Sequence, residues 1–221
     1  MDVSALPAKT QDYLKVIFDL TERSSAPAAM GKVAERMEQR PSTTTEGIKR
    51  LAEKGLVDYE PYGGISLTDA GRELATTMAR RHRLLETYLV ERLGYSWDEV
   101  HEEADNLEHA VSDAFISRID AVLGHPTRDP HGDPIPNERG EVEVLQVQSL
   151  ASLGDGASGT VERIHDSDSE LLRYLAEVGI RPGVTVTMTG TRFAQMRLVR
   201  AGDCEVALAD AAVAAIDVST A

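Results

Sequence analysis

Residues 97–113 hold seven carboxylates, Asp98, Glu99, Glu102, Glu103, Asp105, Glu108 and Asp113, and neither lysine nor arginine. On a helix, Asp98/Glu102 and Glu99/Glu103 are like-charge pairs one turn apart, each costing roughly a few tenths of a kcal/mol. Something should offset that repulsion. His101, Asp105, Glu108 and His109 fall at i, i+4, i+7 and i+8 and would share one helical face. Two imidazoles and two carboxylates are a ligand set for a divalent metal. His82 and Glu86 form a second i,i+4 pair on the preceding helix. Antiparallel packing of the two helices would bring His82, Glu86 and His101 into one ligand set. A solvated face is the usual fate of an acidic run. The absence of any cation and the position of both histidines favour metal binding here.

A different chemistry is written near the N-terminus. Ser42-Thr43-Thr44-Thr45 opens a helix just after Arg40 and Pro41. Hydroxyls in a first helical turn can bond phosphates and base edges, and the helix N-terminus itself attracts phosphate. Lys49, Arg50 and Lys54 follow on the same helix as candidate backbone contacts, while Glu46 works against a DNA surface.

The elements that must carry these residues follow from apolar spacing. Helices are expected over about 6–23, 30–39 and 42–54, with Gly55 closing the third. Two short strands, 56–59 and 65–67, flank a hairpin turn at Pro61-Tyr62-Gly63-Gly64. Three helices and a hairpin make a winged helix-turn-helix. A long helix is expected over 69–93. Ser96-Trp97-Asp98-Glu99 has the form of a capping box for a helix running past His109. A further helix starts at Ser112-Asp113 and stops at Gly124-His125-Pro126. Residues 127–137 form a loop, and 138–150 a charged linker. From about 145 the pattern is strand-rich with one helix near 170–178, the pattern of a small SH3-like barrel.

Composition sets the outer bounds. The 221-residue chain carries 42% hydrophobic and 27% charged residues, a globular balance. No apolar run is long enough to span a membrane, no signal-peptide pattern opens the chain, and a cytoplasmic protein is expected. The single cysteine, Cys204, excludes an internal disulfide and a cysteine-based zinc site. The net charge of −14 lies entirely beyond residue 81: residues 1–81 balance 12 basic against 12 acidic residues. The N-terminal module is therefore free to meet a phosphate backbone with a basic face. No nucleophile triad, phosphate-cradling glycine loop or HExxH motif appears, so no enzyme is indicated.

Several blocks together resemble the diphtheria toxin repressor family of metal-dependent transcriptional regulators. They are Tyr13-Leu14, Ala34-Glu35-Arg36-Met37, Leu51 to Val57, Leu67-Thr68-Asp69-Ala70-Gly71, Arg81-His82-Arg83-Leu84, Val100 to Ala104, Leu107-Glu108-His109 and Gly132-Asp133-Pro134-Ile135-Pro136. The resemblance implies an α+β multidomain homodimer that binds palindromic double-stranded DNA operators. Residues 1–72 would be the winged helix-turn-helix, 73–141 the helical dimerisation and metal domain, and 142–221 an SH3-like domain of the FeoA type. One metal site would use Asp12, Asp105, Glu108 and His109. A second would use His82, Glu86 and His101, completed from the third domain by one of Glu162, His165, Asp166 and Asp168, with ungapped counting favouring Asp166. Iron-sensing members carry Met and Cys where this chain has Asp12 and Asp105. Two hard oxygen donors in their place imply Mn²⁺, with Fe²⁺ or other divalent metals as alternatives. Short two-domain manganese regulators place a Glu where this chain has Lys15, so two separated sites are expected rather than a closely spaced pair. The implied function is a manganese-dependent repressor of metal-uptake genes. The alternatives are an iron-responsive regulator of the same family and a helical carboxylate metalloenzyme.

Overall fold

A computed structural model describes residues 3–24, 26–60, 63–192 and 196–220, with backbone only at 191 and 192. The chain forms two compact units. The first comprises residues 1–82, 106–118 and 136–142, and the second residues 83–105, 119–135 and 143–221.

The first unit begins with a short 3-10 turn, Val3–Ala5, and continues through α1 (Ala8–Ser24), α2 (Met30–Arg36) and α3 (Pro41–Glu53). Strands β1 (Val57–Glu60) and β2 (Gly64–Leu67) pair antiparallel from Val57↔Leu67 to Glu60↔Gly64. In the expected hairpin turn, Pro61 and Tyr62 lie outside the described residues. The apolar stripes meet in one core containing Leu14, Ile17, Phe18, Val33, Ile48, Leu51, Leu56, Ile65 and Met78. Each such side chain contributes about 1.5–3 kcal/mol by leaving water. Helices α1 and α3 pack so closely that a Cβ on Gly47 would stand 2.7 Å from the Tyr13 ring. The end of α3 is closed as its sequence predicts: Gly55 takes φ +70° and the Leu56 amide reaches back 3.0 Å to the Leu51 carbonyl.

Helix α4 (Asp69–Leu93) runs from the first unit into the second, and α5 (Val100–Leu107) and α6 (Asp113–Leu123) also carry residues of both. The expected capping box takes another form. The Ser96 hydroxyl donates to the Glu99 carboxylate at 2.7 Å, and the Glu99 amide bonds the Ser96 carbonyl. The helix therefore starts at Val100. It ends at Leu107, so Glu108 and His109 lie on the following turn rather than on a continuing helical face.

The second unit is built on a six-stranded antiparallel sheet: β3 (Gln148–Ser149), β4 (Ser158–Ile164), β5 (Thr185–Arg192), β6 (Met196–Ala201), β7 (Cys204–Ala209) and β8 (Ile216–Ser219). The strand order is β3-β8-β4-β5-β6-β7. Helices α7 (Ser169–Glu177) and α8 (Asp210–Ala214) are inserted between strands. Its core gathers Leu150, Val161, Ile164, Leu172, Leu175, Val186, Met188, Val199 and Val218, with Trp97 among them. The loop after α6 belongs to this unit, and its His131 carbonyl accepts the Ile164 amide of β4 at 2.9 Å. Among the described residues, no helix is long and apolar enough to cross a membrane.

Candidate metal centre

The turn after α5 meets α1 and α4 in the first unit. Asp12, Glu108 and His109 each offer a donor atom, all within 4.8 Å of one another. His109 Nε2 stands 2.9 Å from Asp12 Oδ1, and its Nδ1 stands 2.8 Å from Gln11 Oε1. The Gln11 amide is not free to flip, because its nitrogen donates to the carbonyls of Val3 (3.0 Å) and Leu6 (2.8 Å). Its oxygen must therefore face His109, which makes Nδ1 a donor and points Nε2 at Asp12. This is the orienting partner that metal-ligating histidines use. Burial raises the Asp12 carboxyl above its usual range; His109 and Lys15 oppose that shift and Glu108 adds to it. A cation beside these groups would relieve the repulsion.

Glu108 is fully buried. Its carboxylate meets Lys15 Nζ at 2.8 and 2.9 Å and His82 Nδ1 at 2.7 Å. His82 therefore contacts Glu108 and Lys15, from a position one turn before Glu86 on α4. Asp105 belongs to the second unit, where its carboxylate is 3.8 Å from His101 Nε2. Because α5 stops at Leu107, Glu108 and His109 leave the helical period on which a single face over 101–109 was expected.

The second cluster lies in the second unit. His101 Nδ1 is 3.2 Å from Glu86 Oε1 and 3.1 Å from Asp166 Oδ2. Two of the other sequence candidates of this region are otherwise engaged: the Asp168 carboxylate caps α7 through the Leu171 amide, and the Glu162 carboxylate accepts the Ser219 hydroxyl. Sequence reasoning missed two further donors here, Asp129 and His131, which group with Glu86 in a fully buried set. His131 donates from Nε2 to the Trp97 carbonyl at 2.6 Å, which turns Nδ1 toward Glu86 Oε2 at 3.7 Å. Desolvation would lower the His131 pKa, but Glu86, with help from Asp129 and Asp166, outweighs it and pushes the value up to about 10. Burial, together with Asp133 and Glu86, raises the Asp129 carboxyl. Asp129 Oδ1 also accepts the amides of His131 and Asp133, both at 2.9 Å, folding the loop on itself. A signal was present, since the expected loop over 127–137 carries His131 between Asp129 and Asp133.

Both donor sets consist of imidazole nitrogens and carboxylate oxygens. The one cysteine, Cys204, is exposed on β7. Such sets fit Mn²⁺, Fe²⁺, Co²⁺ and Zn²⁺ and carry no thiolate to favour a softer metal.

Helix α3 carries the residues expected to meet nucleic acid. Arg40 precedes it in extended conformation and Pro41 occupies its first turn. Arg40, Pro41, Ser42, Thr43, Lys49 and Arg50 are exposed, and Thr45 is half-exposed. Thr44 is a correction. It is fully buried and its hydroxyl bonds the Arg40 carbonyl, because the helical period turns that position onto the core beside Ile48.

Three family models match the chain. They are the iron-dependent repressor N-terminal DNA-binding domain over residues 5–65, the iron-dependent repressor metal-binding and dimerisation domain over 68–137, and the FeoA domain over 148–220. The iron-dependent repressor IdeR of Mycobacterium tuberculosis is 32% identical over 195 residues, covering 82% of this chain and 84% of that protein. The diphtheria toxin repressor of Corynebacterium glutamicum is 31% identical over 188 residues, covering 80% and 82%. Among solved structures, a manganese-dependent transcriptional repressor in complex with manganese superposes with TM-score 0.90 at 48% identity, covering 96% of this chain and 100% of that one. The manganese regulator SloR superposes with TM-score 0.81 at 30% identity, covering 98% and 100%.

Proposed function

Since this chain belongs to the diphtheria toxin repressor family of metal-dependent transcriptional regulators, we propose that it is a manganese-responsive repressor acting as a homodimer on palindromic operators of metal-homeostasis genes. The observation that carries this reading is the donor chemistry of the Asp12, Glu108 and His109 group, hard oxygens and one imidazole without sulfur. The first metal position is assigned to these three residues with Asp105 as a fourth donor. The second is assigned to Glu86, His101 and Asp166, with His82 one turn before Glu86 and with His131 and Asp129 on the far side of the Glu86 carboxylate. The proposed division is a DNA-binding domain over 1–72, a helical dimerisation and metal domain over 73–141, and a FeoA-type SH3-like domain over 142–221. The protein is read as a regulator of the cytoplasm without catalytic turnover.

A bound divalent ion supplies charge that the clustered carboxylates lack and coordination positions that they can fill. Asp12 brings α1 of the winged helix to that position. Glu108 and His109 bring the turn after α5, and Gln11 holds the His109 ring so that Nε2 faces inward. Linking these elements restricts how the recognition helices of a dimer can be spaced, toward the roughly 34 Å between successive major-groove faces. The ion favours the DNA-competent arrangement only by its differential affinity for it, a coupling of about 1–3 kcal/mol in typical allosteric proteins. On the operator, Arg40, Lys49 and Arg50 meet phosphates, while Ser42, Thr43 and Thr45 present hydroxyls at the N-terminus of α3.

The test is operator binding by metal-free protein titrated in parallel with Mn²⁺, Fe²⁺ and Zn²⁺ at buffered free concentrations. Mn²⁺ should switch on specific binding. Equal binding in a strong chelator would refute metal control, and activation by Fe²⁺ alone would refute the choice of metal.

A further inference from the structure

Lys15 is an ammonium group held inside the first donor cluster. Its side chain is 9% exposed, and the Glu108 carboxylate it pairs with is 1% exposed. Lys15 Nζ donates a hydrogen bond to Glu108 Oε2 at 2.9 Å and pairs by charge with Oε1 at 2.8 Å. The same nitrogen lies 3.0 Å from His82 Nδ1, which lies 2.7 Å from Glu108 Oε2. Three polar atoms from α1, α4 and the turn after α5 close a triangle whose one permanent cation is Lys15. Burying an ammonium is costly unless it is paired. On α1 the neighbouring positions Leu14, Val16, Ile17 and Phe18 are buried and apolar, so packing alone would be served by another hydrophobic residue.

We propose that Lys15 is the internal counter-cation of the metal-free site, and that by competing with the incoming ion for Glu108 it sets the free-metal concentration at which the site fills. This rests on the assignment of Asp12, Glu108 and His109 as ligands. In the metal-free protein Lys15 neutralises Glu108, so that Glu108 and Asp12 coexist within one small cluster without an ion. A metal arriving beside Asp12 and His109 engages Glu108 only by loosening it from Lys15. It then sits near a positive charge in an interior that screens poorly. Both effects lower affinity. Lys15 therefore gives the protein a stable folded state without metal and a site that fills only when the metal is abundant. It also occupies the position between Glu108 and His82, which keeps those two groups from sharing a further ion.

The experiment measures Mn²⁺ affinity and stoichiometry of the full-length protein by competition with a fluorescent metal chelator. It compares wild type, Lys15→Met, Lys15→Gln and Lys15→Arg, with thermal melting in the absence of metal. The two neutral variants should bind at the first position at least about tenfold more tightly and melt lower without metal, whereas Lys15→Arg keeps both values near wild type. Neutral variants that bind no tighter than wild type would overturn the proposal and make Lys15 a support for ligand geometry. Should the neutral variants unfold without metal, melting across a Mn²⁺ series reads the same quantity. The gain in melting temperature must then exceed that of wild type, and an equal or smaller gain overturns the proposal. His109→Ala provides the separate control. If it removes no ion from wild type, the ligand assignment has failed and the role of Lys15 falls with it.

Discussion

Gln11 makes the sharpest test of how the first site is organised, because it is not one of the donors and bonds one of them, His109. Its amide is 3% exposed and makes three hydrogen bonds, two donated to the Val3 and Leu6 carbonyls and one accepted from His109 Nδ1. Gln11→Met keeps the length and buried volume while removing all three. Each lost bond costs about 0.5–1.5 kcal/mol net, partly offset by the more apolar side chain, so the metal-free protein should lose roughly 1–3 kcal/mol. Loss of a partner that orients a ligating histidine typically weakens metal binding by about 10–100-fold, or roughly 1.4–2.7 kcal/mol. The deficit should appear at the first site alone, since Glu86, His101 and Asp166 share no bond with Gln11. Chelator competition would resolve the two classes of Mn²⁺ site, and denaturant unfolding would give the stability term. If Gln11→Met binds Mn²⁺ within twofold of wild type at both sites, the orientation of His109 does not depend on Gln11 and the reasoning is wrong.

The other expectations concern the second site, the choice of metal, pH and DNA. Glu86→Ala or His101→Ala should remove one ion per chain in equilibrium dialysis, while Asp168→Ala should keep the full complement and lose about 1 kcal/mol through the α7 cap. The double change Asp12→Met with Asp105→Cys should move activation from Mn²⁺ toward Fe²⁺, Co²⁺ or Ni²⁺; an unchanged rank order in operator binding at buffered metal would refute the assignment. His131, raised to about 10, contributes stability that is fully present below its ordinary 6.5 and lost as pH climbs through about 10. The raised Asp129 carboxyl acts in the same direction, since its ionisation at rising pH disfavours the fold. Metal-free wild type should therefore lose its advantage over His131→Phe between pH 6.5 and 10, as read from melting temperatures. Ala substitution of Arg40, Lys49 or Arg50 should weaken operator binding and flatten the salt dependence by about one unit of slope each, whereas Thr44→Val should leave the slope unchanged.

Regular periodicity made most elements legible: α4 spans the residues its apolar pattern predicts, and Gly55 ends α3 by the predicted backbone geometry. The donors were legible as residue types, and their division into two sets followed from the family resemblance rather than from helix spacing, which carried α5 two residues past its end at Leu107. Strands β3 and β8 went unread, being two and four residues long and fixed by pairing with distant partners rather than by local pattern. Gln11 and His131 act through hydrogen bonds to groups tens of residues away, a relation that no local spacing encodes. Thr44 was grouped with its hydroxyl neighbours by type, although the helical period separates it from them.

The loop at 127–135 has a bearing on how this protein could be cut and recombined. Gly132 takes φ +92°, and a Cβ there would stand 2.0 Å from the Glu162 carbonyl oxygen, so backbone rests on backbone with no room for a side chain. The Ile164 amide bonds His131 across the same junction. A chimaera exchanging the C-terminal module between relatives at the charged linker would leave the loop behind and press a foreign strand against it. A crossover near residue 126 would let loop and sheet travel together. A chain shortened to end at the linker would bring His131, Asp129 and the Trp97 ring out into water. Such fragments should report on the exposed stump rather than on an isolated regulatory domain.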